Sequence, residues 1–184
     1  FVAQLTPEDL EALSRGDYIM GSSLGALGNA GVLGGITESL RALGVPPATT
    51  TDGPSGIRLQ YYCSLLPCGT ALACAWKPQL VESLYQAHGR EMVMKGSDML
   101  LGPGMNIHRN PLCGRNVEYF SEDPLVSGKT GAAMVRGLQK NGVSACPKHF
   151  AANSQELLRM TSDSVVDERT LRELYLTNFE IAVK

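Results

Sequence analysis

Three polar clusters of this sequence carry side chains that could do chemistry together. They lie in TDGPSGIR (residues 51–58), GRNVEYFSEDP (residues 114–124) and KHFAAN (residues 148–153). The candidate residues are one carboxylate and four donor side chains, namely Asp52, Arg58, Arg115, Lys148 and His149. A carboxylate can accept hydrogen bonds from two neighbouring hydroxyls, while Arg and Lys donate to further hydroxyls. This combination predicts a site for an uncharged, hydroxyl-rich ligand, which is a sugar.

Other interpretations of the same residues remain open at this level. A phosphate ligand would leave Asp52 unexplained, because the carboxylate would repel the anion. Alone, Asp52 could cap its own Gly-Pro-Ser-Gly turn, and Arg115 with Glu118 could be an ion pair within a long loop. Lys148 and His149 are adjacent at a predicted strand end, where successive side chains point to opposite faces. For both to reach one ligand the backbone must kink, and a non-proline cis peptide bond would achieve this.

The elements that must position these clusters alternate between strand and helix. Short β-prone runs at 48–51, 98–101 and 143–146 precede helical stretches at 78–95, 124–140 and 167–184. This alternation predicts an α/β fold with parallel strands, either a barrel or a doubly wound sheet. Each polar cluster directly follows a strand, so all three are expected at the C-terminal mouth of the sheet, where active sites form. The long connection at 102–123 also favours a functional loop.

The first 43 residues form a lead-in to these units. Thr6 at an N-cap and Pro7 at the first helical position predict a helix that ends at Gly16. The Gly-rich residues 21–35 are expected to be a loop, and residues 36–43 a short helix closed by a glycine. We therefore divide the chain into a helical and Gly-rich lead-in at about 1–43 and βα units at about 44–184.

Composition excludes several classes of protein. The 184 residues carry a net charge of −2 and 43% hydrophobic residues, which describes one ordinary globular unit. The basic residues are not clustered, so nucleic acid is not an expected partner. The five Cys form no C-x-x-C pair, which argues against a disulfide framework, a metal site or a metal cofactor and favours a cytoplasmic, reducing location. No apolar run has the length of a membrane span.

Four longer motifs together resemble the catalytic domain of family 3 glycoside hydrolases, most of which are β-glucosidases. The motifs are TTDGPSGIR, LLGPGMNIHRNPLCGRNVEYFSEDP, KHFAANSQE and DERTLRELYLTNFEIAVK. The resemblance runs from about residue 43 to residue 184. The first residues resemble, more loosely, the subgroup in which a sandwich domain precedes the barrel. The resemblance implies a (β/α)8 barrel that hydrolyses terminal non-reducing β-D-glucosyl residues with retention and without a cofactor.

The family pattern also implies roles for the candidate residues. Asp52 would accept hydrogen bonds from the 4- and 6-hydroxyls of a glucose in the −1 subsite. The donors to the remaining hydroxyls would be Arg58, Arg115, Lys148 and His149. Two neighbours, Glu118 and Tyr119, would support these side chains from behind. The expected partner is therefore a β-glucoside or glucose.

The sequence departs from the family at the catalytic carboxylates. The family nucleophile is an Asp directly before a Trp, whereas the only Trp here is Trp76, preceded by Ala75. We therefore expect the nucleophile and the acid/base Glu outside this chain, and no catalytic residue within it. A complete barrel usually takes about 250 residues, so the chain should form the first half of a barrel, with three to four parallel strands.

Further expectations concern the ends of the chain. No initiating Met precedes Phe1, and the helix at residues 167–184 stops without a C-cap signal, so we expect a piece of a longer protein. Its open barrel edge and apolar terminal helix should be covered by the missing barrel half, by the sandwich domain or by self-association. Two alternatives remain: a sugar-binding or structural fragment without turnover, and a Schiff-base aldolase that uses Lys148 as nucleophile.

Overall fold

The computed structural model describes residues 1–17 and 19–184. The helices are α1 (Pro7–Arg15), α2 (Glu38–Ala42), α3 (Gly69–Cys74), α4 (Pro78–Lys95), α5 (Pro124–Gln139), α6 (Glu168–Thr170) and α7 (Thr177–Val183). The strands are β1 (Gly31–Gly34), β2 (Pro47–Asp52), β3 (Met99–Leu101) and β4 (Ser144–Ala145). Short 3-10 turns lie at Val2–Gln4 and Asn116–Glu118, and a π-helical segment, Leu171–Leu176, joins α6 to α7.

The four strands form one sheet in the order β1-β2-β3-β4. Strands β2 and β3 pair in parallel, with Thr51 opposite Leu100, and β3 and β4 pair in parallel, with Met99 opposite Ser144. Helices α3 and α4 connect the first parallel pair, and α5 connects the second. The predicted α/β fold with parallel strands and helical connections is therefore confirmed.

Strand β1 corrects the expectation that residues 21–35 form only a loop. It pairs antiparallel with β2 over the whole of Gly31–Gly34. Its sequence, GVLG, is too short to show an alternating pattern, and both glycines adopt positive φ. The strand forms because it pairs with β2, and the local sequence does not reveal this pairing. Helix α3 was also missed, because six residues are too few to show a helical period.

The predicted helix boundaries are confirmed at several points. Thr6 caps α1, where its Oγ1 accepts a hydrogen bond from the Asp9 N–H at 3.1 Å, and Gly16 follows the last helical residue with φ 68°. Helix α4 spans the predicted residues 78–95 and ends at Gly96 in the left-handed conformation. The terminal helix at 167–184 forms, but the π-helical segment interrupts it, and the sequence gives no sign of this.

The core lies between the sheet and the pair α4 and α5. Leu100 of β3 is fully buried beside Met92 of α4 and the α5 residues Met134 and Leu138. The two helices approach closely at Gly137, where a Cβ atom would lie 2.4 Å from a backbone oxygen of α4. This packing fixes β3 and, with it, the start of the long loop that follows. Within the described residues, no helix is both long and apolar enough to cross a membrane.

Candidate functional site

A cavity of about 520 Å³ opens at the C-terminal ends of the parallel strands. Its lining residues are Asp52, Arg58, Leu101, Arg115, Cys146, Lys148, His149, Glu156 and Arg159. All five residues expected to contact a ligand are among them. Asp52 and Leu101 end β2 and β3, and Cys146 directly follows β4, so the strand ends form the floor of this pocket.

Asp52 lies between two cations. Its Oδ1 accepts a hydrogen bond from Lys148 Nζ at 2.7 Å, and its Oδ2 accepts one from Arg58 Nη1 at 3.0 Å. The Lys148 side chain is 14% exposed, whereas that of Arg58 is 73% exposed. Burial opposes ionisation of Asp52, but the hydrogen bond and charge of Lys148 outweigh it and lower the pKa of the carboxyl group below its ordinary value. Asp52 is thus a carboxylate at neutral pH.

The turn after Asp52 brings Arg58 back towards it. The Arg58 N–H donates to the Asp52 carbonyl at 3.0 Å, which closes the turn. Gly53 has φ 110°, and a Cβ atom there would lie 1.8 Å from the Gly56 oxygen. Only glycine fits this position, so Gly53 is required for the turn that brings a cation next to the carboxylate.

Arg115 is held on three sides. Its Nε donates to Glu118 Oε1 at 2.7 Å, its Nη2 lies 3.0 Å from His149 Nε2, and its Nη1 lies 3.5 Å from Glu156 Oε2. Burial disfavours the cation, but the hydrogen bond and charge of Glu118 prevail and raise the Arg115 pKa. Glu118 also lies 3.6 Å from Lys148 Nζ, so it supports both cations from behind.

The backbone kink expected at Lys148 and His149 is present, since the peptide bond between them is cis. Both side chains line the same pocket. Tyr119 is fully buried behind His149, and its Oη lies 3.1 Å from His149 Nδ1. Burial, followed by the charges of Arg115 and Lys148, lowers the His149 pKa to about 4. The ring is therefore neutral at neutral pH.

Three residues of the site were not predicted from the sequence. Glu156 and Arg159 line the pocket from the loop after β4, and the available signal was two oppositely charged residues three and six positions after the KHFAAN cluster. Asn106 lies behind the pocket, and its side-chain amide forms hydrogen bonds with both the backbone N–H and the carbonyl of His149. Its position as a single buried amide within the apolar run GMNI was the only sign of it.

Two further features complete the surroundings of the pocket. A larger cavity, of about 660 Å³, lies between residues 109–114 and 154–158 and contains none of the five candidate residues. Over residues 1–17 and 19–184, no group of three or more His, Cys, Asp or Glu side chains is arranged to hold a metal ion. The arrangement of one paired carboxylate, several donors and a neutral His is suited to holding a polyhydroxylated, uncharged molecule.

Comparisons with a family model and with known proteins agree on one family. Residues 35–184 match the glycosyl hydrolase family 3 N terminal domain. The β-glucosidase of Ruminococcus albus is 47% identical to this chain and aligns with all of it but with 20% of its own length. Thermostable β-glucosidase B of Acetivibrio thermocellus is 48% identical over 80% of this chain and 21% of its own. The chain thus spans about a fifth of the length of these curated relatives.

Solved structures give the same result. A β-glucosidase from Paenibacillus barengoltzii superposes on the whole chain with a TM-score of 0.95 and 52% identity, over 20% of its own length. β-Glucosidase 3B from Thermotoga neapolitana, solved in complex with glucose, superposes on the whole chain with a TM-score of 0.88 and 42% identity, over 27% of its own length.

Proposed function

Because the chain belongs to glycosyl hydrolase family 3, we propose that it supplies the glucose-binding half of the catalytic barrel of a retaining β-glucosidase. The observation that carries this proposal is the Asp52 carboxylate, held between two cations at the mouth of three parallel strands. A buried ion pair alone would explain Lys148. It would not explain why Arg58, Arg115 and His149 converge on the same cavity.

The pocket would hold glucose through hydrogen bonds to charged groups. Asp52 accepts from the 4- and 6-hydroxyls, and Arg58, Arg115 and Lys148 donate to the hydroxyls around the ring, with His149 completing the wall. Each hydrogen bond to a charged group contributes about 1.5–3 kcal/mol. Binding energy of this kind can be used to distort the sugar towards the oxocarbenium-like transition state. The relative from Thermotoga neapolitana was solved with glucose bound, which supports this choice of ligand.

The covalent chemistry would come from residues outside the chain. Both oxygens of Asp52 are engaged by cations, and Glu118 is paired with Arg115, so each is a poor nucleophile towards an anomeric carbon. Lys148 Nζ donates a hydrogen bond to the Asp52 carboxylate and is therefore engaged within the pocket, which disfavours the alternative of a Schiff-base aldolase with Lys148 as a free nucleophile. We therefore propose that the 184 residues bind glucose but do not turn over a glucoside.

The open edge of the sheet suggests the partner of this half-barrel. Strand β4 has two residues and pairs only with β3 among the described strands. We propose that later strands of a longer protein, or a second copy of this chain, cover that edge. We also propose a reducing, cytoplasmic location, because all five Cys are free thiols.

The test is hydrolysis of an aryl β-glucoside by the purified chain and by a longer protein that contains it. The chain alone should show no turnover, whereas the longer protein should be active. In the longer protein, Lys148→Met should lower kcat/KM by at least about a hundredfold, equivalent to about 3 kcal/mol. Lys140→Met removes the same charge from an exposed ion pair with Glu82 and should leave activity unchanged. Turnover by the chain alone would refute the proposed division of labour.

A further inference from the structure

A hydrogen-bond chain behind the pocket begins at Asn106, whose side chain is almost fully buried. Asn106 Oδ1 accepts a hydrogen bond from the backbone N–H of His149 at 2.7 Å, and Asn106 Nδ2 donates to the His149 carbonyl at 3.0 Å. A backbone N–H can only donate and a carbonyl can only accept. These two bonds therefore fix which end of the Asn106 amide is the oxygen.

The same reasoning fixes the proton on the His149 ring. Arg115 Nη2 lies 3.0 Å from His149 Nε2, and because a guanidinium nitrogen only donates, Nε2 must accept. A neutral ring then carries its hydrogen on Nδ1, which lies 3.1 Å from Tyr119 Oη and 3.3 Å from Asn106 Oδ1. The Tyr119 hydroxyl donates a hydrogen bond to the Asn153 carbonyl at 3.3 Å. The His149 tautomer with its hydrogen on Nδ1 is therefore compatible with every hydrogen bond of this chain.

We infer that Asn106 is a positioning residue, which holds His149 as the neutral tautomer protonated at Nδ1 so that Nε2 directs the guanidinium of Arg115 into the pocket. The inference rests on the proposed sugar binding, in which Arg115 contacts the ligand. In this tautomer Nδ1–H faces Tyr119 and Asn106, so His149 would line the pocket without donating to a sugar hydroxyl, which differs from the donor role that the family resemblance implies. Asn106 would then act on the ligand through His149 and Arg115, and protonation of the ring would break the bond between Nε2 and the guanidinium.

The charges around His149 favour the neutral ring. Lys148 is its neighbour in the chain, Arg115 faces it from the loop after β3, and Arg159 faces it from the loop after β4; Glu118 is the opposing carboxylate. Burial and the two nearer cations lower the His149 pKa to about 4. The ring should consequently stay neutral from about pH 5 upwards.

The first test measures the tautomer directly, by nitrogen-15 NMR of the imidazole rings of the full 184-residue chain at about pH 7. The chain has three His, and a His149→Gln variant assigns the signals of interest. We expect an unprotonated Nε2 and a protonated Nδ1 on His149. A protonated Nε2, in either the other tautomer or the imidazolium, would overturn the inference. No sugar is present, so this result is independent of the proposed function.

The second test compares Asn106→Asp with Asn110→Asp. Asn110 is exposed, and its Oδ1 accepts from the Leu112 N–H at 2.9 Å, so Asp at position 110 keeps this bond and adds the same charge. A carboxylate at position 106 should favour the imidazolium and raise the His149 pKa by about one unit or more, measured by NMR titration. Asn110→Asp should leave that pKa within about 0.3 units.

The effect on Arg115 is read from glucose affinity. In Asn106→Asp, glucose binding should be about tenfold weaker at pH of about 4 than at pH of about 7.5, because most His149 rings would then be protonated, whereas wild type and Asn110→Asp should vary by no more than about twofold. Unchanged His149 pKa and pH-independent binding in Asn106→Asp would overturn the inference. If no chain, wild type included, binds glucose, the proposed function fails, and the tautomer measurement alone decides the inference. The tautomer measurement also decides it if Asn106→Asp does not fold.

Discussion

The substitution Asp52→Asn tests the centre of the pocket with almost no change of shape. Asp52 offers one oxygen to Lys148 and the other to Arg58, whereas Asn has a single oxygen and an amide group that only donates. We expect the remaining oxygen to stay with the buried Lys148, so that the amide faces the exposed Arg58. The lost pair with Arg58 costs little, about 0.2–1 kcal/mol, because that side chain is 73% exposed.

The larger effect should be on the ligand. Two hydrogen bonds from sugar hydroxyls to a carboxylate become at most one bond to a neutral amide oxygen, a loss of about 1.5–3 kcal/mol. Glucose should therefore bind about 10- to 100-fold more weakly, as measured by titration calorimetry. Glu8→Gln removes one negative charge from an exposed position in the first turn of α1 and serves as the control. Glucose affinity of Asp52→Asn within twofold of wild type would refute the reasoning.

Further predictions concern stability. Leu100→Ala should lower the free energy of unfolding by about 2–5 kcal/mol in urea, because Leu100 is fully buried at the centre of the sheet; a loss below about 1 kcal/mol would place it outside the core. Thr6→Ala removes the N-cap of α1 and should cost about 1 kcal/mol in the same assay, and no change would mean that this helix end does not contribute to stability. The folded-state pKa of Asp52 is lowered, so its contribution to stability is present above its unfolded pKa of about 3.9 and is lost as the pH falls through the folded value. Wild type should therefore lose more stability than Asp52→Asn on acidification over that range, and parallel curves would contradict the lowered pKa.

The parts of the fold that followed from the sequence are those with strong local signals. Helix α4 has 18 residues, Pro at its first position and Gly after its last, so its bounds were predictable. The clusters at the strand ends were predictable as one site, because parallel strands place their C-terminal ends at a single face. The combination of one carboxylate with several donors predicted a sugar as the ligand, and the resemblance to family 3 specified a β-glucoside.

What the sequence did not reveal depends on contacts between distant segments. Strand β1 exists through its pairing with β2, and the π-helical segment has no local signature. The pocket residues Glu156 and Arg159 belong to a loop whose path depends on the packing around β4. The role of Asn106 depends on a hydrogen bond to a residue 43 positions away, which no spacing rule captures.

The most direct test of the central claim is to map glucose binding on the 184-residue chain by NMR. Backbone and side-chain signals would be followed while glucose is added, with mannitol as a flexible polyol control. We predict saturable shifts concentrated at Asp52, Arg58, Arg115 and Lys148, and none of that pattern with mannitol. Shifts that do not saturate, or that centre on the larger cavity between residues 109–114 and 154–158, would contradict the proposal that this half-barrel carries the glucose site.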